Sequence, residues 1–181
     1  MKNPLFLIPL VILFSQCRQH TEENYITVFP GKPGVPASIK SEHEYLLAQI
    51  DKMALFQDST GIVAIKLKEL MHHHFSEEED YVLPPLGLLP LLAGGKIPDQ
   101  GKAVVQLTEK LKTQLTHLSV EHQMIKAYIG ELKEAAVKEN HPGVIEFEKA
   151  VSKHAETEEE VFFPAAILIG EYLKLTSKEK P

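Results

Sequence analysis

The chain has 181 residues, a formal net charge of −6, 44% hydrophobic and 24% charged residues, the length and balance of one ordinary globular domain. The acidic surplus argues against nucleic acid as a partner, because phosphate binding needs clustered Lys and Arg. A single Cys excludes an intrachain disulfide, a Cys-based zinc site and an iron–sulfur cluster, so any metal held by this chain, with its nine His, has nitrogen and oxygen ligands.

Residues 1–17 read MKNPLFLIPLVILFSQC. Lys2 supplies a positive start, and Pro4 to Phe14 is an apolar run of signal-peptide length, short for a bilayer span. The segment resembles a bacterial lipoprotein signal peptide, with Gln16 and Phe14 where that pattern prefers a small residue and Leu. The resemblance implies a lipid on Cys17 and a domain tethered to the membrane of the cell envelope, facing the periplasm or exterior. Residues 18–37 carry Pro30, Pro33 and Pro36 with Gly31 and Gly34 and show no apolar period, which predicts a tether or strap.

The domain is expected over residues 38–175, with a polar tail at 176–181. A first helix is predicted from a cap at Ser38 or Ser41 to about Gln57, with Ile39, His43, Leu46, Ile50 and Met53 on its inner stripe. A second, capped by Ser59 or Thr60, places Val63, Leu67, Met71, His74 and Glu78 on one face and meets Pro84-Pro85. The apolar stretch Pro84 to Ile97 is read as a short capping helix. The third helix carries Leu111, Leu115, Leu118, His122, Ile125, Ile129, Leu132 and Ala136, and Asn140-His141-Pro142-Gly143 ends it. The fourth carries Val144, Phe147, Val151, His154, Glu158 and Val161 and reaches Pro164. Strand signals are absent, so the expected fold is all-α, an up-down four-helix bundle.

The two halves repeat. Glu42-His43 matches Glu121-His122, and His74-x-x-x-Glu78 with Pro84 matches His154-x-x-x-Glu158 with Pro164. The first and second His are separated by 31 residues in one half and 32 in the other, the mark of a duplicated helical hairpin.

His43, His74, Glu78, His122, His154 and Glu158 therefore occupy core positions where a bundle takes Leu. A buried His or carboxylate destabilises unless it is paired or ligated. Each Glu lies four residues after its His, about 40° around the helix and one turn along, so a pair can reach one point. Four imidazoles and two carboxylates exceed the usual ligand count of one zinc ion and suit two ions. Two His per ion with both Glu bridging leaves a coordination position open, and this donor set suits iron, with manganese or zinc as alternatives.

A His followed by His-x-x-x-Glu, given twice over four helices, resembles the hemerythrin-like HHE cation-binding family across about residues 38–175. The resemblance implies a four-helix bundle around a non-haem di-iron centre, held by His43, His74, Glu78, His122, His154 and Glu158 with both Glu as bridges. Oxygen-carrying hemerythrins have two His four apart on the third helix. Here those places hold Leu118 and Lys126, and His117 falls off the stripe. The pattern thus fits the broader group, which binds or senses oxygen or nitric oxide, handles iron or repairs di-iron sites. An oxidase, peroxidase or nitric oxide reductase, an iron storage or delivery protein, and a metal-free scaffold are the alternatives.

The remaining polar motifs have blander expectations. The stripe and the match to Pro164 select His74 over His73, leaving His72 and His73 as solvated neighbours. The runs Glu77–Asp80 and Glu158–Glu160 read as mostly solvated faces. Tyr81 and Tyr45 are expected to pack. Glu69 and His72 have ferritin-like spacing but no counterpart in the second half, which argues against that fold.

Overall fold

A computed structural model describes residues 33–178. The expected signal segment, Cys17, His20 and most of the tether lie outside the described residues. Among the described residues there are six α-helices and no strand: α1 Ala37–Met53, α2 Ser59–Glu77, α3 Leu89–Ala93, α4 Gly101–Glu139, α5 Gly143–Thr157 and α6 Phe163–Lys178. No helix among them is long and apolar enough to cross a membrane. Two π turns, Glu78–Val82 and Glu158–Phe162, follow α2 and α5.

The helix ends differ from the expected ones for local reasons. Helix α1 starts behind Pro36, with no side-chain cap from Ser38 or Ser41, and stops at Met53 rather than near Gln57. Asp58 caps α2 by accepting from the Gly61 N–H at 3.1 Å. Ser59 and Thr60 instead donate their N–H groups and hydroxyls to Glu139 at the far end of α4. Helix α4 begins at Gly101, well before Leu111, and ends where Asn140 turns left-handed at φ 62°. Asn tolerates that conformation better than most residues, and its N–H closes onto the Ala136 carbonyl.

The fourth helix does not stop near Pro164. A π turn carries it into α6, and this extra residue per turn changes which side chains face inward. Val161, expected on the inner stripe, is 53% exposed, and Phe163 takes the inward place at 5%. The same backbone pattern occurs in both halves. The N–H of Leu83 donates to the Glu78 carbonyl, and that of Phe163 to the Glu158 carbonyl, each immediately before a Pro. A Pro in a regular helix loses its bond to the residue four back and crowds that carbonyl. The wider turn just before it accommodates the ring without ending the rod. In the first half the chain then enters a 3₁₀ segment, Pro84–Leu88, and α3, which bury Pro85, Leu86 and Leu88 while Leu89 and Ile97 stay exposed.

Helix α1 packs on α2 and α5, while α4 packs on α2, α5 and α6. The apolar interior is divided into two clusters. One gathers Leu46, Ile50, Leu67, Met71, Phe75, Ile125, Leu132, Phe147 and Val151. The other gathers Ile39, Tyr81, Leu88, Leu111, Leu118, Phe163 and Ile169. Burial of each such aliphatic side chain contributes roughly 2 kcal/mol. Two helical paths pass from one cluster to the other through a buried His, His43 between Ile39 and Leu46 and His122 between Leu118 and Ile125, and the path through α2 crosses at the buried Glu78, between Phe75 and Tyr81.

Candidate metal centre

The six residues singled out in the sequence meet in this dividing layer. His43, His74, Glu78, His122, His154 and Glu158 are all 2% exposed or less. They form two four-residue groups, His43, Glu78, His154, Glu158 and His74, Glu78, His122, Glu158, each with donor atoms within 4.8 Å of one another. Each group takes one His from each half of the chain, set edge to face: His43 with His154 at 4.9 Å between centroids and His74 with His122 at 4.6 Å.

Both carboxylates span the two groups with opposite oxygens. Glu158 Oε1 lies 2.9 Å from His154 Nε2 and 3.5 Å from His43 Nε2, while its Oε2 lies 3.4 Å from His122 Nε2. Glu78 Oε2 lies 3.7 Å from His43 Nε2, while its Oε1 lies 3.3 Å from His74 Nε2. Most of these inner atoms are orphans. His74, His122 and His154 Nε2, both Glu78 oxygens and Glu158 Oε2 are buried without a hydrogen-bond partner. Orphaned polar atoms of this kind are rare and costly. Their convergence fits a site for metal cations.

The outer nitrogens are directed too. Nδ1 of His74 lies 2.9 Å from Glu121, that of His122 2.7 Å from Glu159, that of His43 3.1 Å from Glu79 and that of His154 3.5 Å from Glu42. A carboxylate hydrogen-bonded at Nδ1 fixes the ring orientation and the tautomer that leaves Nε2 free to ligate, as at His43, His74 and His122, whereas His154 Nδ1 is buried without a hydrogen-bond partner. Sequence reasoning read the acidic runs as solvated and missed Glu79 and Glu159. It also gave no role to Glu42 and Glu121. The signal was in the repeat, because Glu42-His43 recurs as Glu121-His122 and Glu78-Glu79 as Glu158-Glu159.

The buried charges divide unequally. Burial, the largest influence on Glu78, and then the Glu158 charge push its carboxyl well above the usual range. Burial opposes ionisation of Glu158 as well, yet His122, His154 and His43 outweigh it and hold that carboxyl well below the usual range. For His122 and His154, burial is again the largest influence and lowers the pKa, but Glu158 and their other acidic partners raise it overall. Without a cation the layer thus favours the protonated form of Glu78 and the charged form of Glu158.

Two aromatic rings shield the layer. Phe75 stacks on His43 at 4.0 Å and Phe163 on His122 at 5.8 Å. They are not related by the repeat, since Ala155 and Leu83 occupy the matching places. His72 and His73 stay outside at 49% and 61% exposure, and His117 is 44% exposed. None of the three reaches the layer, which therefore holds four His. Tyr81 is buried as expected, whereas Tyr45 is 57% exposed and packs little. His141 stacks on Phe56 at 4.1 Å and pairs with Asp58, away from the layer.

The model of the hemerythrin HHE cation binding domain matches residues 34–166. No curated protein and no solved structure matches the chain.

Proposed function

Because the chain belongs to the hemerythrin HHE cation-binding family, we propose that it is a non-haem di-iron protein that reversibly binds a small diatomic ligand, oxygen or nitric oxide. The carrying observation is that each of Glu78 and Glu158 presents one oxygen to each His group. With two cations present, His43 and His154 would hold one and His74 and His122 the other, and Glu78 and Glu158 would offer an oxygen to each. A donor set of nitrogen and carboxylate oxygen favours iron over softer ions. Two iron ions, when bound, supply the redox capacity and the open position that a diatomic ligand needs.

The rest of the chemistry belongs to the chain. Glu79, Glu121 and Glu159 orient the imidazoles of His43, His74 and His122, and Phe75 and Phe163 limit water around His43 and His122. Burial and the Glu158 charge favour the protonated form of Glu78, so cations held there would compete with that proton. The four helical paths cross between the two apolar clusters in alternating directions, which supports an up-down four-helix bundle as the scaffold. A lipid on Cys17 would hold this domain at the bacterial cell envelope.

The test is anaerobic reconstitution of the purified chain with ferrous iron, followed by oxygen or nitric oxide. The expected result is two irons per chain and a visible spectrum that appears with the ligand and reverses on its removal. Fewer than two irons per chain overturns the di-iron reading. Irreversible, catalytic consumption of the ligand replaces binding with an oxidase or reductase activity.

A further inference from the structure

Two of the three histidines left over beside the buried layer share one patch of surface with two carboxylates. His73 and Glu77 lie four apart on α2, His117 and Glu121 four apart on α4, and donor atoms of all four fall within 4.8 Å of one another. His117 Nε2 is 2.9 Å from Glu77 Oε2 and 3.6 Å from Glu121 Oε1, and His73 Nε2 is 3.6 Å from the same Glu121 oxygen. We propose that His73, Glu77, His117 and Glu121 form a second, solvent-facing site for a single borderline divalent cation such as zinc, separate from the buried centre and adjoining it through Glu121.

Several observations carry this. The donors are two imidazoles and two carboxylates from two packed helices, a set that gives a first-row divalent ion three or four protein ligands and leaves room for water. His73 and His117 are exposed enough for an ion to enter, while Glu121 is only 6% exposed and held in place by His74. The buried Tyr81 hydroxyl has no hydrogen-bond partner, and burial first and then the charges of Glu77 and Glu121 push its pKa up. The duplication does not account for the patch. Its counterparts on the other side are Ser38, Glu42, Lys153 and Thr157, so only the carboxylate beside a buried His is repeated. The remaining three residues occur once, where they complete a ligand set.

Glu121 therefore serves two places at once. Its Oε2 faces His74 Nδ1, and its Oε1 faces His73 and His117. A cation at the surface would sit one carboxylate and one imidazole away from the buried donors.

The full chain is dialysed to equilibrium against zinc and its bound metal measured, beside a His73→Gln/His117→Gln double variant. The wild type is expected to retain one more zinc per chain than the variant. In the unmodified chain, zinc is expected to protect His73 and His117 together from acylation by diethyl pyrocarbonate while His72 stays reactive. Equal zinc content in the two proteins overturns the site. So does protection confined to His72 and His73, which would mark a loose chelate by the His run. Neither readout depends on which metal the buried centre holds.

Discussion

Replacement of His122 by Leu should change the sign of its effect on stability with cation loading. In the cation-free chain His122 Nε2 is a buried orphan, 3.4 Å from a Glu158 oxygen that is also unpartnered. Leu fills similar space under Phe163, and Glu159, at 39% exposure, can turn its carboxylate to water. Removing an unsatisfied buried group of this kind is worth at most about 1–3 kcal/mol, less what Glu158 loses with the first of the imidazoles that hold it ionised. For a domain of this size that raises the melting temperature by about 2–12 °C. In the loaded chain the same substitution removes one of four donors from a group. Saturating cation at a thousandfold excess over its dissociation constant stabilises by about 4 kcal/mol, so loss of that binding, set against the gain just given, lowers the melting temperature by about 2–12 °C. Scanning calorimetry of both proteins, with chelator and then with anaerobic ferrous iron, reads both arms. A gain in stability in both states would refute a metal-holding role for the layer and leave a scaffold. A loss in both would show that His122 is satisfied without a cation, contrary to the geometry.

Three further outcomes test separate parts of the structure. Glu159→Gln weakens the orientation of His122 and should lower iron affinity by about 10–100-fold in chelator competition, and an unchanged affinity would deny the outer carboxylates their role. Ser59 and then Thr60 hold Glu139 at about 2, against an ordinary 4.5. That depressed value adds stability above the ordinary pKa and loses it as pH falls toward 2, so Glu139→Gln should flatten the fall in urea midpoint over that window. A Cβ on Gly170 would lie 1.9 Å from Thr108 Oγ1 and 2.6 Å from Thr108 Cβ. Gly170→Ala should therefore force α6 from α4 and cost about 1–3 kcal/mol by thermal melting, with metal content intact.

The six inward residues were legible because burial makes polar side chains conspicuous on an apolar stripe and because each occurs in a repeated frame. Helix ends were less legible. Ser59 and Thr60 looked like caps, but a competing acceptor from α4 recruits them, a contact between residues 80 apart that no local pattern contains. Val161 failed for a different reason. Its placement assumed one uninterrupted helical period, and the π turn at Glu158 broke it. The outer carboxylates were hidden by the habit of reading exposed acidic runs as solvent-facing, although Glu79 and Glu159 are only partly so.

The paired π turns also mark where inheritance from a common hairpin stops. Up to the proline the two halves share donors, spacing and the same widened backbone. Beyond it one becomes a 3₁₀ turn and a stub helix, and the other a sixteen-residue rod. The turn acts as a mechanical joint that lets the far end vary in length and direction without rotating the glutamate behind it. Variation past Pro84 and Pro164 can thus reshape one pole of the molecule while the donor atoms keep their aim.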